Sequence, residues 1–450
     1  MTQQKNTQAV GMAFMGMIFF IFGFVTTFNI TLADKFKAVF DLSNFQAQLV
    51  NGAFFFTYFV LSFASGSIIK KIGYKAGVIL GLVLVALGSF LFFPAAKVPS
   101  FPFFLVAIFI MASGVVFLQV AANPYVTALG PSETASGRLN LTQALNSIAT
   151  TIAPIIASIF VFKTVAESAL NSALTPAQAA AQSVPVPFLV IGILVVIIAV
   201  VIFMLKLPVI STVSEQKKSV WKHPHVILGA LGIFFYVGAE VGSAAMIQRY
   251  LQEAADFTKT DAAKMIALYW GGAMIGRFYG SFMLSNVEKS KKYLYTIFVL
   301  ILAFAVGWYV RGKYTDGLIF VGIAFVNYLA MQLGSGKANK TLAVFAVIAA
   351  VLALATMSVP ANLILWVGCS IGFFNSVMFP NIFALSVDGL DKGELSTASG
   401  IINTLIVGGA VVPVLMGVVA DGFGVKFAFI LPVICYAYIV FFALAGSRHK

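Results

Sequence analysis

The sequence predicts an all-α polytopic membrane protein, on the basis of its composition, the length of its apolar runs and its lack of alternating segments. Of the 450 residues, 60% are hydrophobic and 10% are charged, and the mean hydropathy is +1.00. A soluble domain is about a quarter charged, so most of this surface is expected to face lipid. Apolar runs of roughly 17 to 25 residues, long enough to span a bilayer, recur along the chain. The short alternating segments of a membrane β-barrel are absent.

About fourteen apolar runs are predicted to be transmembrane helices. They cover residues 10–32, 46–69, 76–94, 101–129, 137–162, 187–207, 225–250, 262–285, 293–311, 317–333, 341–358, 361–387, 397–420 and 426–446. The polar stretch 208–224 separates the first six runs from the last eight. We therefore predict an N-terminal six-helix bundle over 1–207, a cytoplasmic linker over 208–224 and a C-terminal bundle over 225–450.

The distribution of basic residues predicts the orientation in the membrane. With the N-terminus in the cytoplasm, 17 Lys and Arg fall in cytoplasmic segments and 10 in external ones, while Arg277 lies inside a span. Cytoplasmic loops of membrane proteins are enriched in these residues, so both termini are expected inside. We interpret the net charge of +13 as this signal and not as a nucleic-acid-binding surface. The first run has no small-residue cleavage site after it, so no cleavable signal peptide is expected.

Several other chemistries are excluded by the residues available. Cys369 and Cys435 both lie in predicted spans, and the three histidines do not form a zinc-ligand set. Gly334-Ser-Gly-Lys337 is similar to part of a phosphate-binding loop. That loop needs Gly at the position of Met331 and Ser or Thr at the position of Ala338, so the match fails. No cofactor, metal site or ATPase activity is therefore predicted.

A polar pattern that contains a proline occurs twice in the chain. The first copy consists of Gln119-Val-Ala-Ala-Asn-Pro124 and Thr134-Ala-Ser-Gly-Arg-Leu-Asn140, and the second of Asn375-Ser-Val-Met-Phe-Pro380 and Thr397-Ala-Ser-Gly-Ile-Ile-Asn403. Each proline removes one backbone hydrogen bond and exposes the carbonyl four residues before it. Irregular backbone at membrane depth is typical of a cavity lining. Two related copies therefore indicate a solute site between two related halves.

Amide side chains form a stripe on the fifth predicted helix. Asn140, Gln143 and Asn146 recur at three- to four-residue spacing and so share one face. Amides offer donors and acceptors together, which suits a ligand covered in hydroxyl groups. A single amide at this depth is equally consistent with a hydrogen bond between helices. The stripe, together with Gln119 and Asn123, favours a binding site.

Two charges lie inside spans of the second half. Glu240 is near the middle of its span, where it either carries a coupling cation or proton or is neutralised by a partner such as Arg277.

Trp270 is a candidate for stacking on the apolar face of a sugar ring, although packing is the commoner role of a single aromatic residue. The same holds for Tyr58, Phe373 and Phe374.

The motifs resemble those of the fucose–proton symporter family of the major facilitator superfamily, over residues 12 to 445. The resemblance rests on Phe22-Gly-Phe-Val-Thr-Thr-Phe-Asn29, Gln119-Val-Ala-Ala-Asn-Pro-Tyr125, Arg138-Leu-Asn-Leu-Thr-Gln143, Tyr236-Val-Gly-Ala-Glu-Val241 and Phe374-Asn-Ser-Val-Met-Phe-Pro380. The last two are most similar to the glucose/galactose porter branch. The family resemblance implies twelve core helices in two pseudo-symmetric six-helix bundles, so the pair near 293–333 is expected to be an insertion in the second bundle.

The resemblance also implies a set of functional residues. Its sugar-contacting positions fall on Asn123, Gln143 and Asn146, with Asn29 and Glu240 nearby. With the polar groups above, the predicted substrate-binding residues are Asn29, Gln119, Asn123, Gln143, Asn146, Glu240, Trp270, Asn375 and Asn381.

The chain departs from the family at two carboxylates. Ile30 and Gln119 stand where the fucose symporter has Asp and Glu, which are implicated in proton coupling and sugar binding. Asp34 lies one turn from Ile30 and is the alternative coupling carboxylate, with an exposed loop residue as its other interpretation. Because amides and Glu240 supply oxygen ligands, we predict Na+ coupling through Glu240 or Asp34.

These observations predict a cation-coupled symporter for a neutral hexose such as glucose or galactose, acting by alternating access. The alternatives are an H+-coupled, fucose-like symporter and an uncoupled sugar facilitator. The amides argue against an exporter of apolar cations, and no nucleophile–base pair at depth indicates a membrane-embedded enzyme. The expected partners are a monosaccharide and the lipid bilayer, with no nucleic acid. The resemblance implies a monomer in the inner membrane of a bacterium.

Overall fold

The computed structural model describes residues 2–39, 44–97, 101–157, 185–205, 207–211 and 219–448. All regular secondary structure in these segments is helical, which confirms the all-α prediction. The helices are α1 (Thr2–Val39), α2 (Asn44–Ile72), α3 (Tyr74–Lys97), α4 (Phe101–Ala128), α5 (Ala135–Ala157), α6 (Pro185–Met204), α7 (Pro224–Ala254), α8 (Lys259–Met283), α9 (Lys289–Arg311), α10 (Tyr314–Leu333), α11 (Ala338–Thr356), α12 (Ala361–Asn375), α13 (Met378–Val387), α14 (Leu395–Thr404), α15 (Gly408–Phe423) and α16 (Ile430–Phe441).

Twelve spans in the described residues are long and apolar enough to cross a membrane. The predicted number of about fourteen is therefore approximate. The other two predicted spans, α5 and α8, are helical but fall outside those twelve. They are less apolar because α5 carries the amide stripe and α8 carries Arg277. Both of these helices carry candidate functional groups.

Local sequence accounts for several helix ends. The Thr258 hydroxyl accepts a hydrogen bond from the Asp261 backbone amide at 3.1 Å and caps the start of α8. The helix α9 ends at Gly312, whose φ of 73° is left-handed and favours glycine. The run predicted at 361–387 is divided into α12 and α13 around Ser376 and Val377, just before Pro380. Proline cannot continue the hydrogen-bond pattern of the preceding turn, which explains the break.

The chain forms two compact units. Unit 1 consists of Met1–Tyr125, Ile148–Gln216 and Asp391–Thr404. Within it, α3 packs against α6 and α2 packs against α14. The Lys75 ammonium donates to the carbonyl oxygens of Phe203 and Leu205, both at 2.8 Å, at the end of α6. It thereby satisfies acceptors that a helix end otherwise leaves unpaired.

Unit 2 consists of Val126–Ser147, Lys217–Leu390 and Leu405–Lys450. Helix α7 lies at its centre and packs against α12, α13, α15 and α16, while α8 packs against α12. The helices α9 and α10 form a hairpin, and α9 lies against α8. This hairpin corresponds to the pair near 293–333 that was predicted as an insertion in the second bundle. The predicted domain boundary at 208–224 remains a prediction.

Candidate functional site

The candidate site in unit 2 is organised around Arg277 on α8. Gly276 allows α8 to approach α12 closely, because a methyl group at this position would lie 2.8 Å from the Phe373 carbonyl oxygen. The close approach brings the guanidinium of the next residue among neighbouring helices, where Arg277 is 9% exposed. A buried charge of this kind persists only when it is paired and hydrogen-bonded.

Arg277 has partners on two other helices and at the break between α12 and α13. Its Nη2 lies 3.4 Å from Glu240 Oε1 on α7, and its Nη1 donates to Ser147 Oγ on α5 at 2.6 Å. Its Nε donates to the Ser376 carbonyl oxygen at 3.3 Å. Pro380 follows that carbonyl by four residues and leaves it without its helical partner. The ion pair is therefore the arrangement that the sequence offered as one of two interpretations of Glu240.

A hydrogen-bonded chain lies behind Glu240. The Tyr269 hydroxyl donates to the Glu240 backbone carbonyl at 2.8 Å and accepts from Asn375 Nδ2 at 2.6 Å. The Tyr436 hydroxyl donates to Asn375 Oδ1 at 2.9 Å. Asn375 is fully buried and both of its amide atoms are engaged. These contacts indicate that Asn375 orients tyrosines around the carboxylate.

Two residues of the amide stripe on α5, Asn140 and Gln143, differ in the hydrogen bonds that their side chains make. Asn140 Nδ2 donates to the Ser136 carbonyl at 2.8 Å and lies 3.5 Å from Asn381 Oδ1. Asn381 in turn donates to the Ala338 carbonyl at 3.3 Å. Gln143 lies one turn from Ser147, and its side-chain amide makes no hydrogen bond within the described residues. Both polar atoms of the Gln143 amide therefore have capacity for a ligand, whereas Asn140 uses its Nδ2 within the protein.

Unit 1 holds two more of the predicted residues. Gln119 Oε1 accepts a hydrogen bond from the Tyr58 hydroxyl at 2.6 Å. Asn123 is fully buried, and neither of its amide atoms has a hydrogen-bond partner among the described residues. A buried amide of this kind points to a missing water or ligand, since buried polar groups are rarely left unpaired.

Pro124 in unit 1, like Pro380 in unit 2, frees a backbone carbonyl that a side chain from another helix binds. Pro124 frees the Val120 carbonyl oxygen, which accepts a hydrogen bond from Ser399 Oγ at 2.9 Å. Ser399 belongs to the second Thr-Ala-Ser-Gly motif. Both carbonyls that the prolines were predicted to expose are therefore acceptors for a side chain on another helix.

The remaining predicted residues have different surroundings. Trp270 lies two helical turns before Arg277 on the same face of α8 and is 37% exposed, with its ring 5.2 Å from that of Tyr269. Asn146 is 8% exposed on α5 beside Ser147. The side chains of Asn29 and Asp34 lie outside the described residues.

Sequence reasoning missed the roles of Ser147, Tyr269 and Tyr436. Ser147 continues the spacing of the stripe from Gln143, so its position was a usable signal. The two tyrosines carry no such signal, because a tyrosine in an apolar helix is ordinarily a packing residue. A cavity of about 360 Å³ also lies in unit 2, between the α7–α8 connector and the end of α9, and includes Asp256, Asp261 and Arg311. None of the predicted site residues whose side chains the structure describes lines it.

Membrane-length helices that bury an ion pair and unpaired amides define a polytopic transporter of small solutes. A profile described as Major Facilitator Superfamily matches residues 12–336. The chain therefore belongs to the Major Facilitator Superfamily, which confirms the predicted fold and the prediction of a transporter rather than an enzyme.

Several relatives match nearly the whole chain. A "Glucose/galactose transporter" of Brucella abortus biovar 1 (strain 9-941) is 36% identical over 454 residues, covering 99% of this chain and 96% of that protein. An "L-fucose-proton symporter" of Escherichia coli (strain K12) is 30% identical over 465 residues, covering 99% and 95%. A crystal structure of the E. coli fucose:proton symporter superposes with a TM-score of 0.77 at 27% identity, covering 98% of this chain and 100% of that one.

Proposed function

We propose that this protein imports a neutral hexose of the glucose or galactose type by proton symport and alternating access. The observation that carries the proposal is the buried Glu240–Arg277–Ser147 constellation beside the open amide of Gln143. The names of the relatives support the substrate class, since they include glucose/galactose transporters and fucose–proton symporters.

Sugar recognition is assigned to amides and one aromatic ring. The side chains of Gln143 and Asn146 supply donors and acceptors for ring hydroxyls. Trp270 shares the face of α8 that carries Arg277 and is exposed, so its ring is available to the apolar face of a pyranose. Gln119, Asn123, Asn29 and Asn381 remain predicted sugar contacts. For Asn375 we propose a positioning role, because Tyr269 and Tyr436 occupy its amide.

Coupling is assigned to the Glu240 carboxylate. A proton on Glu240 removes its charge and weakens its attraction for Arg277, whose guanidinium still has Ser147 and the Ser376 carbonyl as partners. A bound cation would instead lie beside the guanidinium charge, which repels it. Sodium coupling, which we favoured from the sequence, therefore finds no support, and the fucose relatives are named proton symporters.

Uptake into proteoliposomes tests the proposal. Labelled glucose, galactose and fucose are supplied under an imposed inward H+ gradient, an inward Na+ gradient or no gradient. We expect glucose or galactose to accumulate above equilibrium under the H+ gradient alone. Accumulation driven by Na+ would refute proton coupling, and mere equilibration would identify a facilitator. Failure to transport any of the three sugars would refute the substrate class.

A further inference from the structure

One end of the α9–α10 hairpin carries a concentration of lysines. Residues 284–293 and 334–340 together contain five lysines and one glutamate. The lysines are Lys289, Lys291, Lys292, Lys337 and Lys340, which we call the lysine cluster. Lys291 Nζ pairs with Glu288 at 3.1 Å. Within the described part of the chain, no carboxylate lies at ion-pair distance from the other four.

The two segments lie at the same end of unit 2. The helices α9 and α10 are joined by a short connector, so the start of one and the end of the other are neighbours. The α10–α11 connector also reaches the end of α8, since a methyl group on Gly336 would lie 3.8 Å from the Met283 carbonyl oxygen. Four of the five lysines are exposed and Lys292 is half-buried.

The position of these charges on the helices is unfavourable for the protein alone. Three of the lysines occupy the first turn of α9, which has no acidic residue. The N-terminus of a helix carries partial positive charge and is stabilised by anions, so lysines there add repulsion. Orientation in the membrane needs positive charge on this side but does not need it at helix N-termini. The arrangement favours an anionic partner.

The surface next to the lysine cluster faces lipid. Along α9, Tyr293, Leu294, Ile297, Phe298 and Ile301 are each more than half exposed. Trp308 and Tyr309 are exposed at the opposite end of the helix. At 1.5 Å per residue, Tyr293 and Tyr309 are roughly 24 Å apart along the axis, close to the thickness of a hydrocarbon core. Tyrosine and tryptophan at both ends are typical of the two membrane interfaces.

The opposite end of the hairpin lacks a comparable excess of charge. Arg311 Nε donates to Asp316 Oδ2 at 2.8 Å, so the buried Asp316 carboxylate is paired with this arginine. Lys313 is the remaining basic residue of the connector. The excess of positive charge is therefore confined to the end of the α9–α10 hairpin that carries the lysine cluster. This end is expected to lie at the level of the lipid headgroups.

We infer that the lysine cluster binds an anionic phospholipid. The headgroup phosphate contacts Lys289 and Lys292, with Lys337 and Lys340 contributing at longer range, and an acyl chain lies along the exposed face of α9. Basic residues beside a transmembrane helix are known to attract anionic headgroups. The inference concerns the α9–α10 hairpin and does not depend on the transported solute or on the coupling ion.

Lipid titration of the purified full-length protein in detergent, followed by native mass spectrometry, tests the inference. Phosphatidylglycerol is the anionic probe and phosphatidylcholine the neutral one. The variant is K289Q/K292Q, and the matched control is K70Q/K71Q, which removes two exposed lysines from the last turn of α2. We expect the wild type to prefer phosphatidylglycerol at least about tenfold, and K289Q/K292Q to lose about tenfold in that affinity.

The affinity of the K70Q/K71Q control for phosphatidylglycerol should stay within about twofold of the wild-type affinity. K337Q/K340Q should lose less affinity than K289Q/K292Q does. The inference is overturned if K289Q/K292Q binds phosphatidylglycerol as tightly as the wild type does. It is also overturned if K70Q/K71Q loses as much affinity for this lipid as K289Q/K292Q. It is also overturned if soluble glycerol phosphate displaces the lipid, since the ligand would then be a free phosphate. Thermal midpoints of all variants are recorded, so that a misfolded variant is replaced by the single K289Q.

Discussion

At the scale of single residues, Arg277 is held by groups that come from three parts of the chain. Ser147 is 130 residues before it, Glu240 is 37 before it and Ser376 is 99 after it. Breaking a buried ion pair by removing one partner costs about 3–5 kcal/mol, because the other charge is left buried. Substitutions that test function at this site must therefore keep polar partners in place.

Glu240→Gln keeps a side chain that can accept a hydrogen bond from Arg277 but cannot bind a proton. We expect proton-driven accumulation of sugar to be lost, while exchange of labelled for unlabelled sugar stays within about threefold of the wild type, since exchange needs no net proton movement. Uptake under an H+ gradient in proteoliposomes measures the accumulation, and counterflow measures the exchange. The control is Glu253→Gln, an exposed carboxylate on the same helix that pairs with Arg249. Accumulation above equilibrium by Glu240→Gln would contradict the proposal.

Gln143→Ala removes an amide that has no hydrogen-bond partner within the described residues. We expect little change in thermal stability but a loss of about tenfold or more in sugar affinity, as removal of one or two hydrogen bonds to the ligand would give. Isothermal titration or scintillation proximity binding measures the affinity. Leu141→Ala on the same helix is 41% exposed in the wild type and should leave the affinity unchanged. Equal affinity in Gln143→Ala and the wild type would remove Gln143 from the site.

At the scale of elements, prolines create acceptors that other helices use. The Val120 carbonyl is freed by Pro124 and bound by Ser399, and the Ser376 carbonyl is freed by Pro380 and bound by Arg277. The carbonyls that the two prolines free therefore act as connection points between helices. The second Thr-Ala-Ser-Gly motif has a packing role beside its polar one, because Gly400 lies against Gly66.

Ser399→Ala leaves the Val120 carbonyl buried and without its partner. Such a group costs about 1–3 kcal/mol, so we expect a lower thermal midpoint in detergent. Ser67→Ala is the control, because its hydroxyl is exposed and bonds the Phe63 carbonyl of its own helix. A midpoint for Ser399→Ala equal to that of Ser67→Ala would show that the bond to Val120 does not contribute to stability.

Gly400→Ala places a methyl group 2.8 Å from the Ser62 carbonyl oxygen and 3.2 Å from the Gly66 Cα. Both contacts are with backbone, so α2 and α14 must separate, at a cost of about 1–3 kcal/mol. Gly417→Ala is the matched control, since a methyl group there meets nothing within 4 Å and improves helix propensity by up to about 1 kcal/mol. We expect the thermal midpoint to fall in the first variant only. A fall in both would indicate a general intolerance of alanine.

At the scale of the whole molecule, each compact unit includes one segment from the other half of the sequence. Unit 2 contains Val126–Ser147, whose Asn140 and Ser147 bond Asn381 and Arg277. Unit 1 contains Asp391–Thr404, whose Ser399 bonds Val120. Each of these two segments carries one copy of the repeated Thr-Ala-Ser-Gly motif.

The predicted orientation is a property of the whole chain and is tested by cysteine labelling. Lys313→Cys and Lys291→Cys place thiols at opposite ends of α9. With both termini in the cytoplasm, an impermeant maleimide should label Lys313→Cys on intact cells and Lys291→Cys only after permeabilisation. The native Cys369 and Cys435 are buried, so the wild type should give little background. The reverse pattern would place the termini outside.

Much of the site could be anticipated from the sequence because membrane depth makes polar groups conspicuous. Glu240, Arg277 and the α5 stripe stand out in apolar runs, and the i−4 rule names the carbonyls that Pro124 and Pro380 release. The side chains that donate hydrogen bonds to those carbonyls could not be anticipated, because Ser399 is 279 residues from Val120. Nor could the roles of Tyr269 and Tyr436, whose hydroxyls matter only through Asn375.

The sequence by itself determined that this chain is helical, that it spans a membrane many times, and which residues carry charge or amides into the apolar interior. Those properties follow from composition and periodicity, which are local. Only the tertiary structure decided which groups meet: the Glu240–Arg277 pair and its Ser147 partner, the full engagement of Asn375, and the open amide of Gln143. Pairing depends on which helices pack together, and close contacts such as Gly276 on Phe373 and Gly400 on Gly66 are made between segments far apart in the chain.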